Sequence, residues 1–180
     1  MNPDGLRDDV VALREWSVDD AEWYAATAAT DELIQRFTAE SPTVTAEDVR
    51  AAILELRAGA PGAAGFLVAD AATGERLGNI ALSHENGVGD VSYWVVEGAR
   101  GRGVATRAVR MLSNWAFATL GLDELRLWAH VDNVGSRTVA EKGRFRPRSR
   151  PRRAQADQGT GLDDRRIPAA TPRWRLGHDG

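Results

Sequence analysis

Val91-Ser-Tyr-Trp-Val-Val-Glu-Gly-Ala-Arg-Gly-Arg-Gly-Val-Ala-Thr106 changes character twice in a short span. Its first part is apolar and β-prone, its middle is Arg100-Gly101-Arg102-Gly103, and its end opens an amphipathic helix to about Leu120. A strand, a glycine loop and a helix in that order point several backbone N–H groups at one spot. The helix dipole adds partial positive charge there, which suits a phosphate. Glycines let the main chain approach an anion with no Cβ in the way. The arginines add charge without forming the cradle. The expected ligand is therefore phosphorylated and held mainly by main chain.

Outward from this segment, the rest of the chain reads as alternating strands and helices. Asp9–Trp16 reads as a strand, and Ser17-Val-Asp-Asp20 starts a helix over Val18–Thr30. Thr45-Ala-Glu-Asp48 is a second cap, opening a helix to about Ala58. Gly65–Ala69 and Leu77–Leu82 form a hairpin around Asp70-Ala-Ala-Thr-Gly74, and Asp90–Val96 follows as a fourth strand. After the Val104–Leu120 helix come a strand, Leu125–Asn133, and a helix to Lys142. The expected class is α/β (α+β): a mixed, mostly antiparallel sheet flanked by helices, with one parallel pair across Val104–Leu120.

The loop is not a Walker loop, because no Gly-Lys-Ser/Thr follows the glycines, and it lacks the third glycine of a dinucleotide fingerprint. The spacing Arg100-x-x-Gly103-x-Ala105 instead resembles the pyrophosphate loop of the GNAT acetyltransferase superfamily. A second match is Asn133-Val-Gly-Ser136 between the fifth strand and its helix, similar to the family's Asn-x-x-Ser element. The resemblance spans about residues 9–142, is closest over 91–142, and points to the Rim-type branch acting on protein N-termini or small amines.

The resemblance implies a sheet splayed at the fourth strand and acetyl-CoA as co-substrate, with no metal. Backbone N–H groups of Arg100, Gly101, Arg102, Gly103, Val104, Ala105 and Thr106 would hold the pyrophosphate. Main chain at Trp94, Val95 and Val96 would pair with pantetheine, and Asn133 would bond its amide region. Ser136 would protonate the leaving thiolate, since no tyrosine follows Tyr93. Asp90 is the expected general base, with Glu97 and His84 behind it. The acceptor, a primary amine of a protein N-terminus, a polyamine or an aminoglycoside-like small molecule, would meet an acidic and aromatic lining of Glu22, Trp23, Tyr24, Asp31, Glu32, Phe37 and Glu40.

Composition narrows the setting. At 180 residues the chain fits one domain, with no apolar run of membrane-spanning length. Its polar, acidic start does not read as a secretory leader. With no cysteine, disulfides and a catalytic thiol are excluded, and a cytoplasmic protein is expected. The three histidines, His84, His130 and His178, lack metal-ligand spacing.

The tail departs from the family pattern. Up to Glu141 the chain carries 12 basic and 22 acidic residues; from Lys142 it carries 11 basic and 4 acidic. Without interleaved aromatics this reads as a solvated tail rather than a nucleic-acid site. An arginine stands between Gly143 and Phe145, and prolines and arginines crowd the text after Phe145. The expected division is an acetyl-CoA-binding core over 1–142 and an irregular basic segment over 143–180, with the last two strands degraded. The sheet would then end at 124–131, leaving an edge for a partner subunit such as a second copy. A change of reading frame near 142–147 would account for the tail, and the alternative function is then an impaired CoA-binding relic.

Overall fold

The structure, a computed structural model, describes residues 6–147 and 173–177. Strand β1 (Val11–Arg14) leads to Ser17, whose capping box with Asp20 starts the 3-10 turn Val18–Asp20 and helix α1 (Ala21–Thr30). Asp31 then caps α2 (Glu32–Phe37), accepting from the N–H groups of Leu33 and Ile34 at 3.1 and 3.2 Å. Thr45 and Asp48 form the second capping box, on α3 (Ala46–Arg57). Strands β2 (Ala63–Asp70), β3 (Arg76–Glu85) and β4 (Val88–Val95) follow as a meander, and α4 (Val104–Leu120) crosses to β5 (Glu124–Trp128). Helix α5 (Val134–Lys142), the two-residue β6 (Arg146–Pro147) and β7 (Arg173–Gly177) complete the order.

The seven strands form one sheet in the order β1-β2-β3-β4-β5-β7-β6. Every neighbouring pair is antiparallel except β4 with β5. Strand alternation sends Phe66, Ile80, Leu82, Val91, Leu125 and Leu127 into the core shared with α4. The opposite face packs Leu67 and Ala69 against Trp16, Ala21, Val49 and Ile53, on the side of α1 and α3.

One feature of register positions everything that follows. β4 stays paired with β3 from Val88↔Glu85 to Val95↔Gly78. Its pairing with β5 ends at Val91↔Leu127. From Ser92 to Val95 one edge of β4 therefore has no β5 ladder, and the two strands diverge. This is the splay expected at the fourth strand.

The sheet does not stop at β5. Arg173–Gly177 pairs along the full length of β5, so that edge is covered rather than left for a partner subunit. The physical reason is a short alternation, Arg173-Trp174-Arg175-Leu176. Trp174 is 5% exposed and Leu176 packs beside it on the α4 core. On the other face Glu124 holds Arg126 at 2.8 Å and Arg175 at 3.1 Å. Arg144 takes a left-handed φ of 66°, which absorbs the extra residue and still buries Phe145. The expected irregular stretch over 148–172 lies outside the described residues.

Asp20 ties the first strands to the helical layer. Its side chain is 2% exposed and receives Arg14 at 2.7 and 2.9 Å, Arg76 at 2.7 Å and the Ser17 N–H at 2.9 Å. Burial alone would raise its pKa, but these donors outweigh burial and hold it at about 2. Because the folded value lies below the unfolded one, this stabilisation is complete above about pH 4 and is lost as pH falls toward 2. Asp20→Ala should cost on the order of 2 kcal/mol. Thermal melts at pH 7 should show a drop of roughly 4–8 °C, and the gap from wild type should narrow below pH 3. An unchanged melting point would mean that the two arginines do not depend on Asp20.

Candidate active site

The site begins at the start of α4. Gly101 and Gly103 have φ of 73° and 81°, a left-handed backbone that other residues rarely adopt. Gly103 is the N-cap and has no side chain to occupy the first-turn N–H groups of Val104, Ala105 and Thr106. Nothing lies within 4 Å of where a Cβ would stand on either glycine, so a ligand has room to approach the main chain. No acidic residue sits in the first turn to compete with an anion. The arginine side chains point to other partners. Arg100 pairs with Asp31 at 2.5 Å, and Arg102 donates to the Gly98 carbonyl at 3.3 Å. Main chain, and not arginine, is what this loop presents.

A cleft of about 1440 Å³ runs from this loop through the divergence of β4 and β5. Arg100, Gly101 and Gly103–Thr106 line one end, and Ser92–Val95 with Asn133–Ser136 line the middle. Trp94 and Val95, two of the residues expected along the pantetheine, line the cleft. Val96 and Arg102 do not line the cleft, and the Val96 N–H donates instead to Leu77 O at 2.9 Å.

Strand alternation splits the chemistry between two faces. Tyr93 points to the α5 side, where its hydroxyl is 2.7 Å from Ser136 Oγ. Burial pushes the Tyr93 phenol up to about 12, against a smaller lowering by the Ser136 hydrogen bond. Asp90 points to the α1/α3 side one rung before the pairing ends, and Trp128 Nε1 donates to its Oδ1 at 3.2 Å. One cleft therefore reaches a hydroxyl pair on one face and a carboxylate on the other, through the gap between the strands. Glu97 and His84 do not line it.

The Tyr93–Ser136 pair was missed in the sequence, where Ser136 stood alone as proton donor. Alternation within β4 does place Tyr93 on the face of Val91 and Val95, but its partner is 43 residues away. Asn133 has a second role not read from the sequence: its Oδ1 caps α5, accepting from the Ser136 N–H at 2.9 Å. Its amide nitrogen and the second lone pair of Oδ1 are left for a ligand.

Helix α2, absent from the sequence reading because six residues hold no full apolar period, roofs the cleft. Phe37 packs on His130 with ring centroids 5.7 Å apart, and Arg36 reaches Asp132 at 4.0 Å. His130 Nδ1 accepts from the Asp132 N–H at 3.1 Å, which leaves the proton of a neutral ring on Nε2. The expected acidic lining is only partly present. Glu22 is exposed and pairs with Arg50, Asp31 is spent on Arg100, and Glu32 is exposed. Glu40 lines the cleft and accepts from the Tyr24 hydroxyl at 2.5 Å. Trp94 packs between Trp23 and Tyr24, with centroids at 5.7 and 5.2 Å. Among the described residues no cluster of His, Asp and Glu could hold a metal ion, and no helix is long and apolar enough to cross a membrane.

A glycine-capped helix start thus shares one cleft with a parted strand pair, a hydroxyl pair on one face and a carboxylate on the other. The chain belongs to the acetyltransferase (GNAT) domain family, which it matches over residues 11–146. It is 34% identical over 61 residues to a Bacillus subtilis (strain 168) protein named as a ribosomal N-acetyltransferase, YdaF. That match covers 34% of this chain and 33% of the relative, so the chain aligns with about a third of that protein's length. Among solved structures, a ribosomal-protein-S5-alanine acetyltransferase from Vibrio fischeri superposes with a TM-score of 0.76 at 18% identity, covering 96% of each chain. A spermidine N-acetyltransferase from Vibrio cholerae, in complex with CoA and spermine, gives 0.74 at 15% identity over 94% of this chain and 96% of that one. At such identities these two structures establish the shared fold alone.

Both tyrosines are shifted upward: Tyr93 to about 12, and Tyr24 further, by burial and then by the neighbouring Glu40 carboxylate. A spectrophotometric titration should therefore show no tyrosinate near pH 10, the ordinary value. Ionisation should appear only above pH 11, together with unfolding, because raised folded pKa values give stability that is lost as pH rises. A half-equivalent of tyrosinate at pH 10 in the folded protein would contradict the burial of Tyr93.

Proposed function

We propose that the protein moves an acetyl group from acetyl-CoA directly to a primary amine. The observation that carries this reading is the open edge Ser92–Val95 lying in one cleft with the glycine-capped start of α4. The free N–H groups of Val104, Ala105 and Thr106 suit a pyrophosphate. The unpaired edge of β4 suits the amides of a pantetheine arm, and its N–H groups can polarise a thioester carbonyl.

In this reading the amine arrives on the α1/α3 face and Asp90 takes the proton of its ammonium form. The amine lone pair attacks the acyl carbon, the C–N bond forms as the C–S bond breaks, and the second nitrogen proton passes to solvent. On the other face Ser136 gives its proton to the thiolate and regains one from solvent. Tyr93, still protonated, lies within hydrogen-bonding distance to donate to Ser136 Oγ. The names of the similar proteins cover ribosomal proteins and spermidine, which supports an amine acceptor without choosing between a protein N-terminus and a small molecule. The continuation of the sheet through β7 supports an active enzyme over a CoA-binding relic. The cysteine-free composition supports a cytoplasmic setting.

Acetyl-CoA and CoA should raise the melting temperature and NAD should not. At ~100 times the dissociation constant, binding to the folded state adds about 2.7 kcal/mol. Gly103→Val should lose most of that shift, because its φ of 81° suits glycine and a branched Cβ would enter the ligand's space. Arg102→Ala should keep most of it. The reverse order would mean that side-chain charge holds the ligand.

Asp90→Asn should lower turnover by about 10²–10⁴ with acetyl-CoA affinity nearly intact, as expected when a general base is lost. Full activity in that variant would remove Asp90 from the proton transfer.

A further inference from the structure

A second hollow, of about 260 Å³, adjoins the cleft on the α1/α3 face. Its walls are Trp16, Val44, Val49, Ile53 and Leu56. Glu40 and Asn79 line both spaces and form their common wall, and Tyr24, bonded to Glu40, lines the hollow. Among the described residues no arginine or lysine lines it, and Asp48, at its rim, is engaged with Thr45 at the start of α3.

The sheet register connects the two spaces. Gly65 on β2 stands opposite Ala81 on β3, and Ala81 stands opposite Ser92 on β4. Alternation puts all three on the α1/α3 face, and all three are small. A larger row, Leu67, Asn79 and Trp94, flanks them on one side, and on the other the row Ala63, Ser83 and Asp90 is small except at Asp90. Gly65 and Ala81 line the hollow, and Ser92 is an exposed lining residue of the cleft at the splay. Two inter-strand steps of ~4.8 Å make this a shallow trough about 10 Å long. It ends beside Asp90 and the open edge of β4.

We propose that this trough and hollow hold an apolar arm of the acceptor, which is a small free amine on an unbranched alkyl or aralkyl chain. The inference rests on the acetyl transfer proposed above and names the substrate class of that site. An apolar cavity of about 150 Å³ is enough for a benzene ring, so the hollow accommodates an arm of that bulk. The carboxylate of Asp90 lies at the amine end of the path, that of Glu40 stands where the cleft meets the hollow and is bonded to Tyr24, and the far wall is Val49, Ile53 and Leu56. A polyamine laid along it would bury a second ammonium against those apolar side chains, at a large desolvation cost. A peptide N-terminus branches at the carbon next to its amine, where the trough is one residue wide between Trp94 and Asp90.

The test is steady-state acetylation of hexylamine, ethylamine, spermidine and a tripeptide amide beginning with Phe. Hexylamine should exceed ethylamine in kcat/KM by at least about 30-fold, given the usual gain per buried methylene. It should also exceed spermidine and the peptide. Ala81→Leu should collapse the hexylamine-to-ethylamine ratio toward one. Ala52→Phe, on the exposed side of α3 at the same hollow, should lower the ratio in the same direction should the strand variant fold poorly. The melting shift with acetyl-CoA reports whether each variant is folded. A ratio near one in the wild type, or a preference for spermidine or the peptide, overturns the proposal and leaves acetyl transfer standing. Turnover of none of the four amines overturns the proposal together with the activity on which it rests.

Discussion

The parting of β4 from β5 beyond Val91↔Leu127 is the constraint on which the rest of the molecule depends. A parallel pair is held by evenly spaced ladder bonds, and giving up its upper half leaves polar main chain exposed inside a fold. The neighbouring structure tolerates this because the other edge of β4 stays fully paired with β3. Below the divergence, Leu125 and Leu127 keep β5 fixed in the core beside Val91. The gap is thus framed by rigid elements and joins the two faces of the sheet at one point. Asp90 on one face and the Tyr93–Ser136 pair on the other therefore open into one cleft.

A second coupling lies across the mouth of that gap. Arg100, the residue before the glycine loop, is bound to Asp31, which also caps α2. The loop that presents N–H groups and the helix that roofs the cleft are therefore tied to each other. Phe37 on His130 and Arg36 near Asp132 tie the same helix to the turn before α5. The exposed Arg36–Asp132 pair contributes little by itself. The Arg100–Asp31 pair is more shielded, and burial, which would raise the Asp31 pKa, is outweighed by the Arg100 hydrogen bond and the Ile34 and Leu33 N–H groups, which lower it.

Local signals were read well in the sequence and long-range ones poorly. Helix α4 runs over Val104–Leu120 as its apolar period indicates, and both capping boxes, at Ser17 and Thr45, are formed. These features depend on residues a few positions apart. The pairing of Tyr93 with Ser136, and of Arg100 with Asp31, depends on the sheet crossing and has no trace in spacing. Strand β7 was overlooked because its apolar side chains, Trp174 and Leu176, alternate with charged ones for only a few residues inside arginine-rich text. The glycine loop is legible in the sequence as a strand-to-helix turn, whereas the Arg100 side chain's pairing with Asp31, the cap of α2, is not.

Amide hydrogen exchange with and without saturating acetyl-CoA is the most direct test of a ligand held by main chain at the open strand edge. Added protection should concentrate at Ser92–Val95 and at Val104–Thr106, with little change at the opposite strand pair β1–β2. Protection absent from both segments at saturation, or confined to the arginine-rich tail, would contradict the central claim.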